Sequence, residues 1–179
     1  MIFATVGTQL PFDRLLIGLD SWAERNPGIP VLAQAGTSRQ RFRNIETVGQ
    51  LSQSQFLSTF REARLVVAHA GMGTILSAAE LGKPLILMPR RAKFGEHRND
   101  HQNDTAQEMA RLSNVTIVED GEALHAALDL AAARGFEAMP GGAEQSGTSL
   151  DPLLEVIRDF IWDDAVSQAA AMPRQRKAA

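Results

Sequence analysis

Leu65-Val66-Val67-Ala68 followed by His69-Ala70-Gly71-Met72-Gly73-Thr74 carries a β-branched apolar run into two glycines and then a helix-like segment ending at Gly82-Lys83-Pro84. Glycine lacks a Cβ, so backbone can approach a ligand closely there. The first N–H groups of a helix are unpaired and point outward at the positive end of its dipole. A strand delivered into such a turn predicts an anion site, with a phosphate as the expected occupant.

Outward from this turn, short β-branched runs alternate with longer amphipathic ones. Strands are predicted at 2–6, 30–34, 45–48, 65–68, 85–88 and 115–118, and helices at 12–25, 52–63, 74–81, 99–112 and 122–133, with Ser52 as an N-cap. Strands alternating with helices imply βαβ crossovers and a mostly parallel sheet covered on both faces, a Rossmann-like doubly wound α/β domain. Ligands of such folds bind beyond the carboxyl ends of the strands. Gly7-Thr8-Gln9, His69–Thr74 and the segment 89–101 each follow a predicted strand, so they are expected on one rim.

The domain is expected to span 1–134. Residues 135–149 hold Gly135, Pro140, Gly141, Gly142 and Gly147 without an apolar period and read as a linker. Leu150, Leu153, Leu154, Ile157, Phe160 and Ile161 then recur at helical spacing, an amphipathic helix over 150–163 that packs either on its own sheet or on another protein. The remainder, 164–179, is small, polar and finally basic, and reads as a disordered tail.

Composition narrows the partners. With 179 residues, 44% of them hydrophobic, the chain suits one core, and a net charge of -3 gives no general attraction to nucleic acid. The basic residues are local: Arg39, Arg41 and Arg43, then Arg90, Arg91, Lys93 and Arg98, which suit steering of an anion or simply two solvated loops. No cysteine is present, which removes disulfides and thiolate chemistry and makes a reducing compartment the natural expectation. No apolar run approaches the ~20 residues needed to span a bilayer, so membrane contact is expected to be peripheral.

Several motifs fail. A dinucleotide fingerprint needs a third glycine where Leu76 stands. Lys83 is followed by Pro84 at a helix end, whereas a P-loop lysine opens its helix. There is no Gly-x-Ser-x-Gly elbow. His97 and His101 share a metal-like spacing, but Glu96 precedes the first instead of following it, and no metal site is expected.

In combination, His69-Ala70-Gly71-Met72-Gly73-Thr74, Gly82-Lys83-Pro84, Met88-Pro89-Arg90 and Gly95-Glu96-His97-x-x-Asp100-His101-Gln102 resemble the nucleotide-sugar-binding half of family 28 glycosyltransferases. Val6-Gly7-Thr8-Gln9 with Phe12-Asp13 is similar too. The likeness covers roughly residues 1–130. It is nearest to free-standing versions of that half: the cytosolic catalytic subunit of the two-component dolichol-linked N-acetylglucosamine transferase, and bacterial exopolysaccharide counterparts.

The resemblance implies the C-terminal half of a GT-B enzyme split over two chains. This chain would bind a UDP-sugar, and a membrane-associated partner would supply the acceptor half for a lipid-diphosphate-linked acceptor. Anomeric inversion without metal or other cofactor is implied, in a cytoplasmic protein held at the inner face of the membrane through that partner. Gly7, Thr8, Gln9, His69, Gly71, Met72, Gly73, Thr74 and Arg90 would surround the donor, and His101 and Gln102 would reach its sugar. Many relatives hold the ribose with an acid where this chain has Ser77, and Glu80, one turn along the same face, is the expected substitute. His97 and Glu96 are the local candidates for the catalytic base. A non-catalytic nucleotide-binding or enhancer subunit is the alternative reading.

Overall fold

The computed structural model describes residues 1–136 apart from Asp100 and Ser113, with the side chains of His101 and Asn103 outside the description. The rest of the expected linker, the helix over 150–163 and the tail over 164–179 also lie outside the described residues.

Six strands form one parallel sheet: β1 (Ile2–Thr5), β2 (Val31–Gln34), β3 (Glu46–Val48), β4 (Leu65–His69), β5 (Leu85–Met88) and β6 (Val115–Ile117), in the order β3-β2-β1-β4-β5-β6. Every residue of β1 and β5 is buried. Continuous apolar runs such as Leu65-Val66-Val67-Ala68 suit this position, because a parallel strand is covered on both faces. Register sets the strand ends side by side: Thr5 pairs with Gln34 on one side and Ala68 on the other, and His69 with Met88.

Helices α1 (Asp13–Arg25), α2 (Gln53–Glu62), α3 (Met72–Glu80), α4 (His101–Met109) and α5 (Gly121–Ala133) follow β1, β3, β4, β5 and β6, and β2 leads to β3 without a helix. On one side of the sheet, Leu15, Leu16, Leu19 and Trp22 of α1 pack with Leu124 and Leu128 of α5. Trp22 is fully buried and satisfies its indole by donating to Asp129 Oδ1 at 2.6 Å. On the other side, Phe3 meets the rings of Phe56 and Phe60 edge-on at 5.6 and 6.1 Å, beside Ile75, Ala78 and Met109. Truncating a buried aromatic of this kind to alanine typically costs about 3–5 kcal/mol.

Local chemistry sets the ends of the elements. Ser52 caps α2 through a reciprocal capping box with Gln55, as its sequence position predicts. Asp120 accepts from Ala123 N at 2.9 Å and starts α5 one residue before the expected 122. Helix α3 starts at Met72, two residues before the expected 74, so Gly71 and Gly73 belong to its cap and first turn. The segment 92–94, with no helical period, forms a 3-10 turn, and α4 is shorter than expected, beginning at His101 instead of 99. The packed domain also runs past 134. Phe136 joins the α1–α5 side of the core, and Arg64 lies 5.2 Å from its ring and donates to the Gly135 carbonyl.

Candidate functional site

The carboxyl ends of β2, β1 and β4 open on a cavity of about 570 Å³ lined by the β1 loop from Gly7 to Leu10, the start of α3, and Leu51, Gln53 and Phe56 at the start of α2. At one end lies the first turn of α3. Its N-cap is Gly71, extended at φ −102 and ψ 129, and no side chain caps it. Thr74 N and Ile75 N turn back to the Gly71 carbonyl, so the amides of Met72 and Gly73 are the unpaired donors expected of a first turn. A Cβ on Gly73 would meet nothing within 4 Å, which leaves that backbone open to the cavity it lines.

His69 is wedged between two backbones. A Cβ on Gly71 would come within 2.4 Å of its Nε2, and one on Gly7 within 2.7 Å of its Cε1, and Gly7 further adopts φ +74. Only glycine fits at both places. Burial lowers the His69 pKa to about 4, helped by the nearby Arg90 charge and His97 and opposed by a backbone interaction with Thr5. The imidazole is therefore neutral at physiological pH and serves as a hydrogen-bonding group, not a charge. Among the described residues, His69 Nδ1 and Gln34 Oε1 are the buried side-chain polar atoms without a hydrogen-bond partner, and both residues line this cavity.

Arg90, expected beside the donor, lines the cavity but spends its charge inward. It is 3% exposed, and its guanidinium donates to the carbonyls of Val6, Leu10, Pro11 and Glu96 at 2.6–2.9 Å. Four carbonyl acceptors and the Phe12 ring 4.8 Å away hold the β1 loop against the segment after β5. Burial draws the Arg90 pKa below its usual value, with Glu96 opposing.

Glu96 departs from its expected place. Its carboxylate takes a two-point contact from Arg14 at 2.8 and 2.9 Å and a bond from Arg91 N at 2.9 Å, and it lines a separate cavity between α1 and α5. A carboxylate held by three donors, 7% exposed and lining the other cavity, positions the loop and is not placed beside His97 as a base. His97 does line the first cavity, with Nδ1 3.1 Å from Asn99 Oδ1.

The structure thus brings Gly7, Thr8, Gln9, His69, Gly71, Gly73, Thr74, Arg90 and His97 together. Met72, Ser77, Glu80 and Gln102 are not among the residues lining the cavity. Ser77 Oγ donates to its own helix at Gly73 O, 3.0 Å away, and Glu80 is exposed. Gln102 is buried and accepts from Arg90 N through Oε1 at 3.2 Å. The side chain of His101 lies outside the description. Sequence reasoning missed Gln34, Leu51, Gln53 and Phe56. The signal was partly available: Gln34 ends β2, and Leu51, Gln53 and Phe56 lie on the loop and the start of α2 that follow β3, on the rim where a parallel sheet gathers its ligand contacts. Among the described residues no three His, Asp or Glu side chains gather as a metal site, and no helix is long and apolar enough to cross a membrane.

Comparison with known proteins gives this geometry a context. The model of the glycosyltransferase family 28 C-terminal domain matches residues 1–145. The UDP-N-acetylglucosamine--N-acetylmuramyl-(pentapeptide) pyrophosphoryl-undecaprenol N-acetylglucosamine transferase of Solibacter usitatus (strain Ellin6076) is 33% identical over 107 residues, covering 55% of this chain and 28% of its own. Among solved structures, the calicheamicin glycosyltransferase CalG4 superimposes with a TM-score of 0.55 at 16% identity, over 96% of this chain and 44% of its own. ALG13 does so with a TM-score of 0.56 at 18% identity, over 87% of this chain and 93% of its own. At such identities the structural likenesses speak to fold. The chain spans less than half the length of the Solibacter transferase and of CalG4, and nearly the whole of ALG13. With the family model covering most of its length and every described strand of its sheet, the chain belongs to the glycosyltransferase family 28 C-terminal domain family, and its parallel sheet is Rossmann-like.

Proposed function

We propose that this chain is the donor-binding subunit of a two-component inverting glycosyltransferase. It binds a UDP-sugar, and a membrane-associated partner presents a lipid-diphosphate-linked acceptor in exopolysaccharide or glycan assembly. The observation that carries the reading is the division of one cavity into two chemistries. The uncapped start of α3, with Gly71, Gly73 and Thr74, suits a diphosphate, and the wing of Leu51, Gln53 and Phe56 offers an aromatic ring and an amide to a planar base.

A helix end is worth about 0.3–2 kcal/mol to an anion, so contacts along the whole nucleotide must add to it. With the departing diphosphate held by helix amides, no metal is needed in this mechanism. Of the two residues expected as base, His97 lines the cavity and Glu96 does not, which supports His97 as the group that would take a proton from an acceptor hydroxyl. A partner that supplies the acceptor half, and a place beside it at the cytoplasmic face of the membrane, belong to the same proposal.

Co-expression with the neighbouring reading frame, followed by assay against a panel of UDP-sugars, tests the proposal. The chain alone is expected to bind UDP-sugars weakly and to transfer little, with transfer appearing in the co-expressed pair. Vigorous transfer by the purified chain alone would sink the two-component reading, and absence of any saturable UDP heat would sink donor binding.

A further inference from the structure

The cavity has an order along its length that the strand sequence dictates. Passing from the loop after β3 to the loop after β4, a ligand meets Leu51 and Gln53, then Gln34 at the end of β2, then the β1 loop, then His69 and the start of α3. If the diphosphate lies at α3 and the base against Phe56, the ribose lies over the ends of β2 and β1. The polar side chains at the strand ends there are Thr5, whose Oγ1 already accepts from Gly7 N, Gln34 and, one strand on, His69, and the last two each carry a buried atom with no partner. Gln34 is 4% exposed, and a buried amide oxygen without a hydrogen bond is costly unless a ligand completes it. The residues expected to hold the ribose are otherwise occupied: Ser77 bonds Gly73 O within its own helix, and Glu80 is exposed outside the cavity.

Resting on the donor reading above, we infer that the ribose diol of the nucleotide is recognised from the floor of the sheet, by the Gln34 amide oxygen with His69 beside it, and not from helix α3. A ribose hydroxyl donates to Gln34 Oε1, which a small turn of the amide brings to the cavity. The neutral His69 ring supplies the second contact, since an imidazole offers one donor and one acceptor. Gln34 is thereby a specificity residue for ribonucleotides over deoxyribonucleotides.

Titration calorimetry of the full chain with UDP and with 2′-deoxy-UDP, in the wild type and in Gln34→Met, tests this. Methionine keeps the length of the side chain and removes both hydrogen-bonding atoms, and thermal unfolding checks that the variant is folded. The wild type is expected to favour UDP by roughly three- to tenfold, the span of one net hydrogen bond, and Gln34→Met to bind the two nucleotides alike. Undiminished preference for UDP in Gln34→Met, or no preference in a wild type that binds UDP, overturns this inference and leaves the donor reading standing. Failure of the wild type to bind UDP at all overturns both.

Discussion

His69 sits at the end of a buried strand with glycine backbone on two sides of its ring, and its neutrality has a measurable cost in acid. Its folded-state pKa, lowered to about 4 from the usual 6.5, means that between those values the unfolded chain binds the extra proton and the folded chain does not. Stability conferred by the neutral ring is complete above about pH 6.5 and is lost as pH falls toward 4, by up to about 3 kcal/mol. Urea unfolding of the wild type and of His69→Gln at pH 4.5 and 7 measures it. The wild type is expected to lose more stability than the variant between the two, and equal losses would mean the ring titrates normally. Arg90 and His97 are the charged and titratable neighbours that help to keep it neutral. The histidine itself is legible in sequence as a strand-end residue beside a glycine turn. Its protonation state is not, because burial and the Arg90 charge are supplied by residues distant in the chain.

At the scale of elements, the first turn of α3 separates two glycines that look alike in sequence. Gly71 is packed against His69, whereas Gly73 opens onto the cavity with nothing near its missing Cβ. Gly71→Ala is therefore expected to destabilise the fold by about 1–3 kcal/mol, as overpacking does, and to weaken UDP binding by displacing the ring. Gly73→Leu is expected to keep stability within about 1 kcal/mol and still to cost UDP affinity at least about tenfold, because the new side chain fills the anion end. Chemical denaturation with calorimetry on both variants checks the contrast, and a Gly73→Leu protein that binds UDP normally would remove the phosphate from this turn. The existence of strand, turn and helix here was readable from β-branched residues followed by glycines. The helix start was misplaced by two residues because glycine at its cap and first turn lowers local helix propensity, whereas the bonds of Thr74 N and Ile75 N to the Gly71 carbonyl close the turn. The 3-10 turn at Ala92–Phe94 was invisible for a related reason: it is held from outside its own sequence, by Arg14 over the Phe94 ring and by Glu96 bound to Arg14.

Over the whole molecule, Arg90 is the contact on which the cavity's shape depends. It joins carbonyls of the segment 6–11 to that of Glu96, so the loop that carries Gly7, Thr8 and Gln9 is set by a residue some eighty positions away. Arg90→Met is expected to leave four buried acceptors unsatisfied, to cost about 3–5 kcal/mol and to abolish UDP binding at stabilities where the sheet still forms. Circular dichroism during denaturation, paired with calorimetry, distinguishes loop loosening from global unfolding. A loss below about 1 kcal/mol would show that the carbonyls find other donors.

By itself the sequence determined the alternation of strand and helix, the parallel sheet that follows from it, and the rim on which Gly7, His69 and Gly73 meet. Each of these follows from local periodicity and from the geometry of glycine. Only the tertiary structure decided which polar residues line the cavity. Arg90 and Glu96 were drawn inward by carbonyls and by Arg14, Ser77 closed on its own helix, and Gln34, which lines the cavity, was left with a buried unpaired oxygen. The physical reason is that a polar side chain goes where its hydrogen bonds are completed, and those partners lie on other elements that only the fold brings near.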